Sequence, residues 1–254
     1  MGWYKLKSIL GLSLSLAKSY FKSRNEGSYL GIFWYLLNPL AFFVIIMLMS
    51  QVINAKPEKD YPLYLFLGLI MFNFFLNSTI SSTKAMVNNS GFLKSIKVSH
   101  ESFVIAIILE FIFAHIFEVV ILGFFMMYFK LSLLGLLFYP ILFVFFVLFI
   151  IGIAFILATI GVYIVDLNNV WDIFVRLLWF ITPVFYFASE SSLLYRINLY
   201  NPVFYFLSIA RDFLIYQQMP SIFMTCLAII FSLVVFFIGS MIFTKNKNKF
   251  AERI

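Results

Sequence analysis

The sequence predicts an all-α integral membrane protein with six transmembrane helices, an N-terminal amphipathic interface helix and re-entrant external helices before the last span. Three observations carry that prediction. The 254 residues are 63% hydrophobic and only 11% charged, whereas water-soluble domains carry about 25% charged residues. The apolar stretches are long and continuous, without the strict alternation of an outer-membrane barrel, so the spans are helices. The run Leu178 to Tyr186 is interrupted by Thr182-Pro183 and followed by a short amphipathic stretch and Asn201-Pro202. The polar groups of such a break must be buried in protein or face a water-filled cavity, and broken helices are a transporter feature.

Residues 1–25 form the interface helix. Leu6, Ile9, Leu10, Leu16, Ala17, Tyr20 and Phe21 fall on one helical face, and Lys7, Ser8, Ser15, Lys18, Ser19 and Lys22 on the other, the pattern of a helix lying in the membrane surface. A signal peptide would not place Lys18 and Lys22 after its apolar part. A span needs roughly 20 apolar residues, and six runs qualify: 30–53, 62–83, 102–129, 135–162, 169–187 and 220–243. The third and fourth are long enough to tilt or protrude. The segment 84–101 reads as a turn and a short amphipathic helix. The stretch 188–219 is too apolar for a free loop and too short for two spans, which fits re-entrant helices.

With six spans both termini share a side. Of the 18 Lys and Arg residues, twelve fall on that side, five fall on the other, and Arg176 lies inside the fifth run. The excess places both termini in the cytoplasm. It also accounts for the net charge of +7 without a nucleic-acid partner. The single cysteine, Cys226, excludes an internal disulfide.

Leu30-Gly31-Ile32-Phe33-Trp34-Tyr35-Leu36-Leu37-Asn38-Pro39, Gly161-Val162-Tyr163-Ile164-Val165-Asp166-Leu167, and Trp179 to Tyr186 followed by Tyr200-Asn201-Pro202 resemble, in order, three segments of ABC-2 type permeases. The branch is the one that exports polysaccharides: O-antigen, teichoic acid and capsule. Val165 stands where that family usually has an arginine. The resemblance spans nearly the whole chain and implies a homodimeric membrane channel docked on two copies of an ATP-binding cassette subunit. That complex would move a polyprenyl-diphosphate-linked glycan across the cytoplasmic membrane. ATP and Mg²⁺ would be bound by the partner, leaving no cofactor on this chain. The sequence agrees, since it has no Gly-x-x-x-x-Gly-Lys-Ser/Thr phosphate cradle. The alternative within the same architecture is a permease for drugs or hydrophobic small molecules.

Four groups of residues are candidates for function. Lys94 and Lys97 on 84–101, with Asp166, would contact the ATPase. Lys18, Lys22 and Arg24 precede the first span with Trp34 just inside it. Such cations stabilise phosphate oxygens and would receive a diphosphate headgroup; they serve equally as positive-inside anchors to anionic lipid. Glu110, His115 and Glu118 lie on one broad side of the third span, where ionisable groups are expensive and face the bundle interior. Polar lining or subunit hydrogen bonding is the preferred role over a proton relay. Their spacings of five and three lack the i, i+4 ligand pair of a metal site, so no metal is expected. Finally Phe180, Phe185, Tyr186 and Phe187 cluster beside the Thr182-Pro183 break, where ring faces would let a sugar chain slide. A catalytic role is not expected.

Overall fold

The computed structural model describes residues 2–26, 29, 31, 33–52, 60–95 and 98–253. Their regular elements are helices: α1 (Gly2–Asn25), α2 (Phe33–Val52), α3 (Tyr61–Thr83), α4 (Ala85–Asn88), α5 (Ser90–Ser95), α6 (Glu101–Tyr128), α7 (Gly135–Tyr163), α8 (Leu167–Ile181), α9 (Leu193–Asn198), α10 (Pro202–Leu214), α11 (Ile222–Asn246) and α12 (Phe250–Arg253).

Four of them are long and apolar enough to cross a membrane: α3, α6, α7 and α11 with the turn after it. The protein is therefore a multi-pass membrane protein. In α2 the apolar stretch is shorter, Leu37–Ser50. The fifth predicted run, 169–187, ends earlier than expected. Its helix stops at Ile181 because Thr182 is extended at ψ 135°, the conformation that a following proline enforces. The 15 residues of α8 reach about 22 Å at 1.5 Å per residue, against roughly 30 Å of hydrocarbon.

Helix α3 is the axis of the fold. Of its apolar window 78% is buried, against 17% for α11, and α2, α6, α7, α8 and α10 all pack on it. Helices α7 and α11 share the most extensive contact, and glycine is the cause. A Cβ on Gly239 would stand 2.1 Å from the Gly152 carbonyl oxygen, and one on Gly152 would stand 2.5 Å from that of Val235. Small residues that let backbones touch are how helices associate in a solvent as apolar as they are. Gly161 repeats the device, bringing α7 against the Thr83 carbonyl at the end of α3.

The ends of the bundle differ. At one, Thr83 Oγ1 donates to Asn168 at 3.0 Å and Lys247 Nζ lies 2.5 Å from Glu101. The His100 and Phe250 rings also meet there, and burial pushes the His100 imidazole below its ordinary value. At the other end, Tyr61 reaches residue 185 and Gly135 abuts Phe213.

Helix α1 forms where the amphipathic pattern predicts, but protein covers its inner face. It packs along the first half of α6. The Ile9 carbonyl accepts from Ser102, the Phe21 and Phe113 rings meet edge to face, and Arg24 pairs with Glu110. The covered stripe differs from the purely apolar one: Ser13 and Ala17 are fully buried, whereas Leu10 is 50% exposed. Size decides this, because Ser13 and Ala17 allow the close approach, and the Ser13 hydroxyl is satisfied by the Ile9 carbonyl at 2.8 Å. Within 84–95 two short helices form, α4 and α5, rather than one.

A polar tract between α2, α3, α6 and α8

One face of α3 is left only partly covered. Asn73, Leu76, Asn77, Ile80 and Ser81 lie on it while their neighbours are buried, at the i, i+3, i+4, i+7, i+8 spacing of a single helical stripe. Across from it, α2 contributes Trp34 and Asn38. Pro39 in that helix lacks an N–H and so frees the Tyr35 carbonyl.

Three cavities follow this face. The first, of about 540 Å³, lies at the α4 end and is lined by Tyr20, Arg24, Ser81, Lys84, Glu110 and Asn168 among others. The second, of about 230 Å³, is bounded by Arg24, Trp34, Asn38, Asn73, Asn77 and Glu118. The third, of about 270 Å³, shares Asn38, Asn73 and Asn77 with the second and adds Phe42, Arg176, Trp179 and Phe180. Arg24 joins the first cavity to the second, and the asparagines join the second to the third. The tract thus offers amide donors and acceptors, guanidinium groups at Arg24 and Arg176, and the rings of Trp34, Trp179 and Phe180. Such a lining hydrogen-bonds hydroxyl-rich chains and stacks on their apolar faces.

The candidate residues distribute unevenly around it. Arg24 and Trp34 line the second cavity together. Lys18 is exposed, and Lys22 is exposed and paired with Glu26 at 3.3 Å. Glu110 and Glu118, grouped by the sequence, are separated. Glu110 pairs with Arg24 at 3.1 Å. Glu118 instead accepts from His115 Nδ1 at 2.8 Å, while His115 Nε2 meets the Tyr139 hydroxyl at 2.6 Å. The imidazole stacks on Phe143 at 4.6 Å. This chain of buried hydrogen bonds ties α6 to α7. Among the described residues no three His, Cys, Asp or Glu side chains form a metal-binding group.

The aromatic group also divides. Phe180 lines the third cavity and is 61% exposed. Phe185 stacks on Trp179 at 4.9 Å, and Phe187 packs on Tyr64 at 4.3 Å. Tyr186 turns its hydroxyl back on the Ile181 carbonyl and so helps to hold the break. Lys94 and Asp166 are exposed, and Lys97 lies outside the described residues. Asn73, Asn77 and Arg176 were not singled out by sequence reasoning. Their signal was a polar residue every helical turn in otherwise apolar helices.

The break itself is enclosed by donors. The Tyr61 hydroxyl donates to the Phe185 carbonyl at 2.7 Å. That of Tyr64 is shared between Pro183 and Tyr186 at 3.2 and 2.9 Å. Arg211 Nη2 donates to the Val184 carbonyl at 3.1 Å, and its guanidinium covers the Tyr64 ring at 3.4 Å. Asn198 donates to the Ile181 carbonyl at 2.8 Å, and Asn201 Nδ2 to Thr182 Oγ1 at 2.8 Å. The carbonyls of Ile181 and of Pro183 to Tyr186 are thus satisfied within the protein, as an apolar surrounding requires.

Three relatives align with nearly the whole chain, at 22–25% identity. The O-antigen export system permease protein RfbA of Myxococcus xanthus is 25% identical over 252 residues, covering 96% of this chain and 95% of its own length. The protein of the same description from Klebsiella pneumoniae is 24% identical over 257 residues, covering 98% and 97%. No protein-family model matches the chain. The chain is a membrane protein related to permeases of O-antigen export systems.

Proposed function

We propose that this chain is the membrane-spanning permease subunit of an ATP-driven exporter that moves polysaccharide or polyprenyl-diphosphate-linked glycan, of the O-antigen or teichoic-acid type, across the cytoplasmic membrane. In this reading the whole chain is one transmembrane domain. Helices α2 and α8 complete six crossings in the assembled protein, α9 and α10 form the re-entrant external region, and both termini face the cytoplasm. Two copies face each other, docked on two copies of an ATP-binding cassette subunit that carries ATP and Mg²⁺.

The observation that carries the reading is the tract: amides, rings and two guanidinium groups along one uncovered face of an otherwise apolar bundle. The full-length similarity to O-antigen permeases supports it. Helix α8 adds to it, since only Val175 of its residues is fully buried, which leaves an apolar helix for a second copy or lipid to cover. In this reading Phe180, Phe185, Tyr186 and Phe187 stand at the outer part of the path. Lys18, Lys22, Arg24 and Trp34 stand where the lipid headgroup arrives. Lys94, Lys97 and Asp166 meet the ATPase, and Glu110, His115 and Glu118 are intramembrane polar groups, the last two binding α6 to α7.

Affinity purification of the full chain from its native membranes tests this directly. An ATP-binding subunit should accompany it in equal amount, and vesicles containing both should expose glycan to an external lectin only when ATP is supplied. Glycan movement without ATP, or purification free of any ATP-binding protein, would refute the proposal. Within the tract, the double substitution Asn73→Leu and Asn77→Leu should lower glycan movement at least about tenfold, since each lost charge-neutral hydrogen bond is worth roughly 1 kcal/mol. The thermal midpoint in micelles should hold, because both amides face a cavity. Full transport in that variant would remove α3 from the path.

A further inference from the structure

Arg24 sits where the first two cavities meet, with a carboxylate on either side. Glu110 lines the cavity at the α4 end, and Glu118 lines the cavity beside Trp34. The ion pair with Glu110 is 3.1 Å long and lopsided: the Glu110 side chain is 5% exposed, that of Arg24 46%. Helix α1 carries the arginine and α6 the carboxylate. The guanidinium also covers the Phe111 ring at 4.9 Å. The anchored partner is thus the acid, and the partner reaching into the open space is the base.

Arginine's planar fork suits phosphate as well as carboxylate, and takes either by two parallel bonds. A diphosphate brings more charge and more oxygens than one carboxylate. A singly charged lipid phosphate brings no such advantage. We propose that Glu110 is an internal stand-in for a diphosphate anion: it occupies Arg24 at rest and yields it to the headgroup of a lipid-linked substrate. This deepens the proposed function and rests on it. The built-in rival also confers selectivity. It sets a threshold that a diphosphate lipid passes and an ordinary anionic phospholipid does not, and specificity of this kind comes from an opposing interaction rather than an added attraction.

The test is calorimetric binding of farnesyl diphosphate to the full chain in non-ionic micelles, with phosphatidylglycerol and inorganic diphosphate in parallel. Wild type should prefer the diphosphate lipid. Glu110→Gln should bind it about tenfold more tightly, a gain at the lower end of the coupling measured for close charge pairs, and should bind phosphatidylglycerol better too. Glu110→Asp keeps the charge on an arm one methylene shorter and should gain less, so either variant decides should the other misfold. Arg24→Gln should lose binding, and Glu110→Gln should bring no gain in that background. Unchanged or weaker affinity in every Glu110 variant that folds, or a gain that persists without Arg24, overturns the proposal. Inorganic diphosphate bound as tightly as the lipid would overturn the headgroup assignment. ATP-driven glycan movement together with unaltered diphosphate affinity sinks the stand-in alone, whereas absence of any ATP-binding partner sinks the transport reading.

Discussion

Gly161→Ala and Gly239→Ala are each expected to cost roughly 3 kcal/mol, at the upper end of overpacking penalties. The methyl at 161 would stand 1.9 Å from the Thr83 carbonyl oxygen, and that at 239 would stand 2.1 Å from the Gly152 carbonyl oxygen. In both cases the obstacle is backbone, so no side chain can turn aside and the helices must separate by more than an ångström. Separation opens gaps along the contact on either side, and a close-packed interior forfeits dispersion energy across such gaps. At Gly161 the displaced element is the junction of α3 and α7, the end at which Thr83 also holds Asn168 of α8. At Gly239 it is the whole α7–α11 seam. The apparent melting temperature of the purified chain in micelles should fall clearly for both, with less monodisperse protein on gel filtration. Gly11→Ala and Gly91→Ala serve as controls, because a Cβ at either position meets nothing within 4 Å. Both should hold or gain stability, alanine being the better helix former by about 1 kcal/mol. A variant at 161 or 239 that melts like the wild type would show that backbone contact does not hold the bundle together.

These glycines illustrate what the sequence could convey. Apolar run length located α3, α6, α7 and α11 to within about three residues, since a membrane leaves a long uninterrupted signal. It did not reveal that Gly152 and Gly239 touch, because a glycine in a helix carries no sign of its neighbour. The break at Thr182-Pro183 was legible from proline stereochemistry, and so was the need to enclose it. The donors were not, since Tyr61, Tyr64 and Arg211 lie far from it in sequence. The same distance hid the pairing of Arg24 with Glu110 and of His115 with Tyr139. The stripe of Asn73, Asn77 and Ser81 is the opposite case. Its helical period was present in the sequence, and attention to ionisable residues passed over neutral amides at the same spacing. Leu10 and Ser13 on α1 show why hydrophobicity alone misplaces a contact face: where two backbones come close, smallness outranks apolarity.

Asn201→Ala is expected to cost about 3 kcal/mol and to loosen the region between α8 and α10. One buried side chain performs three tasks there. Its Oδ1 accepts from the Val203 N–H at 3.1 Å and caps α10, worth about 1 kcal/mol at a helix N-terminus. Its Nδ2 donates to Thr182 Oγ1 at 2.8 Å and to Asn198 Oδ1 at 3.1 Å, fastening the break to the helices that follow it. Asn198 and Asn201 are both buried, so alanine leaves polar partners without water to replace it, at about 1–3 kcal/mol for each group stranded. Helix α10, with nine buried residues among its 13, stays packed on α3, α7 and α11. The change should therefore appear locally, as faster protease cleavage within 187–192 and a lower melting temperature, with the long helices retained by circular dichroism. Asn201→Ser separates the tasks. Its hydroxyl caps α10 but is too short to hold Thr182, so it should recover about 1 kcal/mol of the loss while leaving cleavage fast. If both variants are cut no faster than wild type, the enclosure of the broken helix does not depend on Asn201, and the tyrosines and Arg211 suffice to hold it.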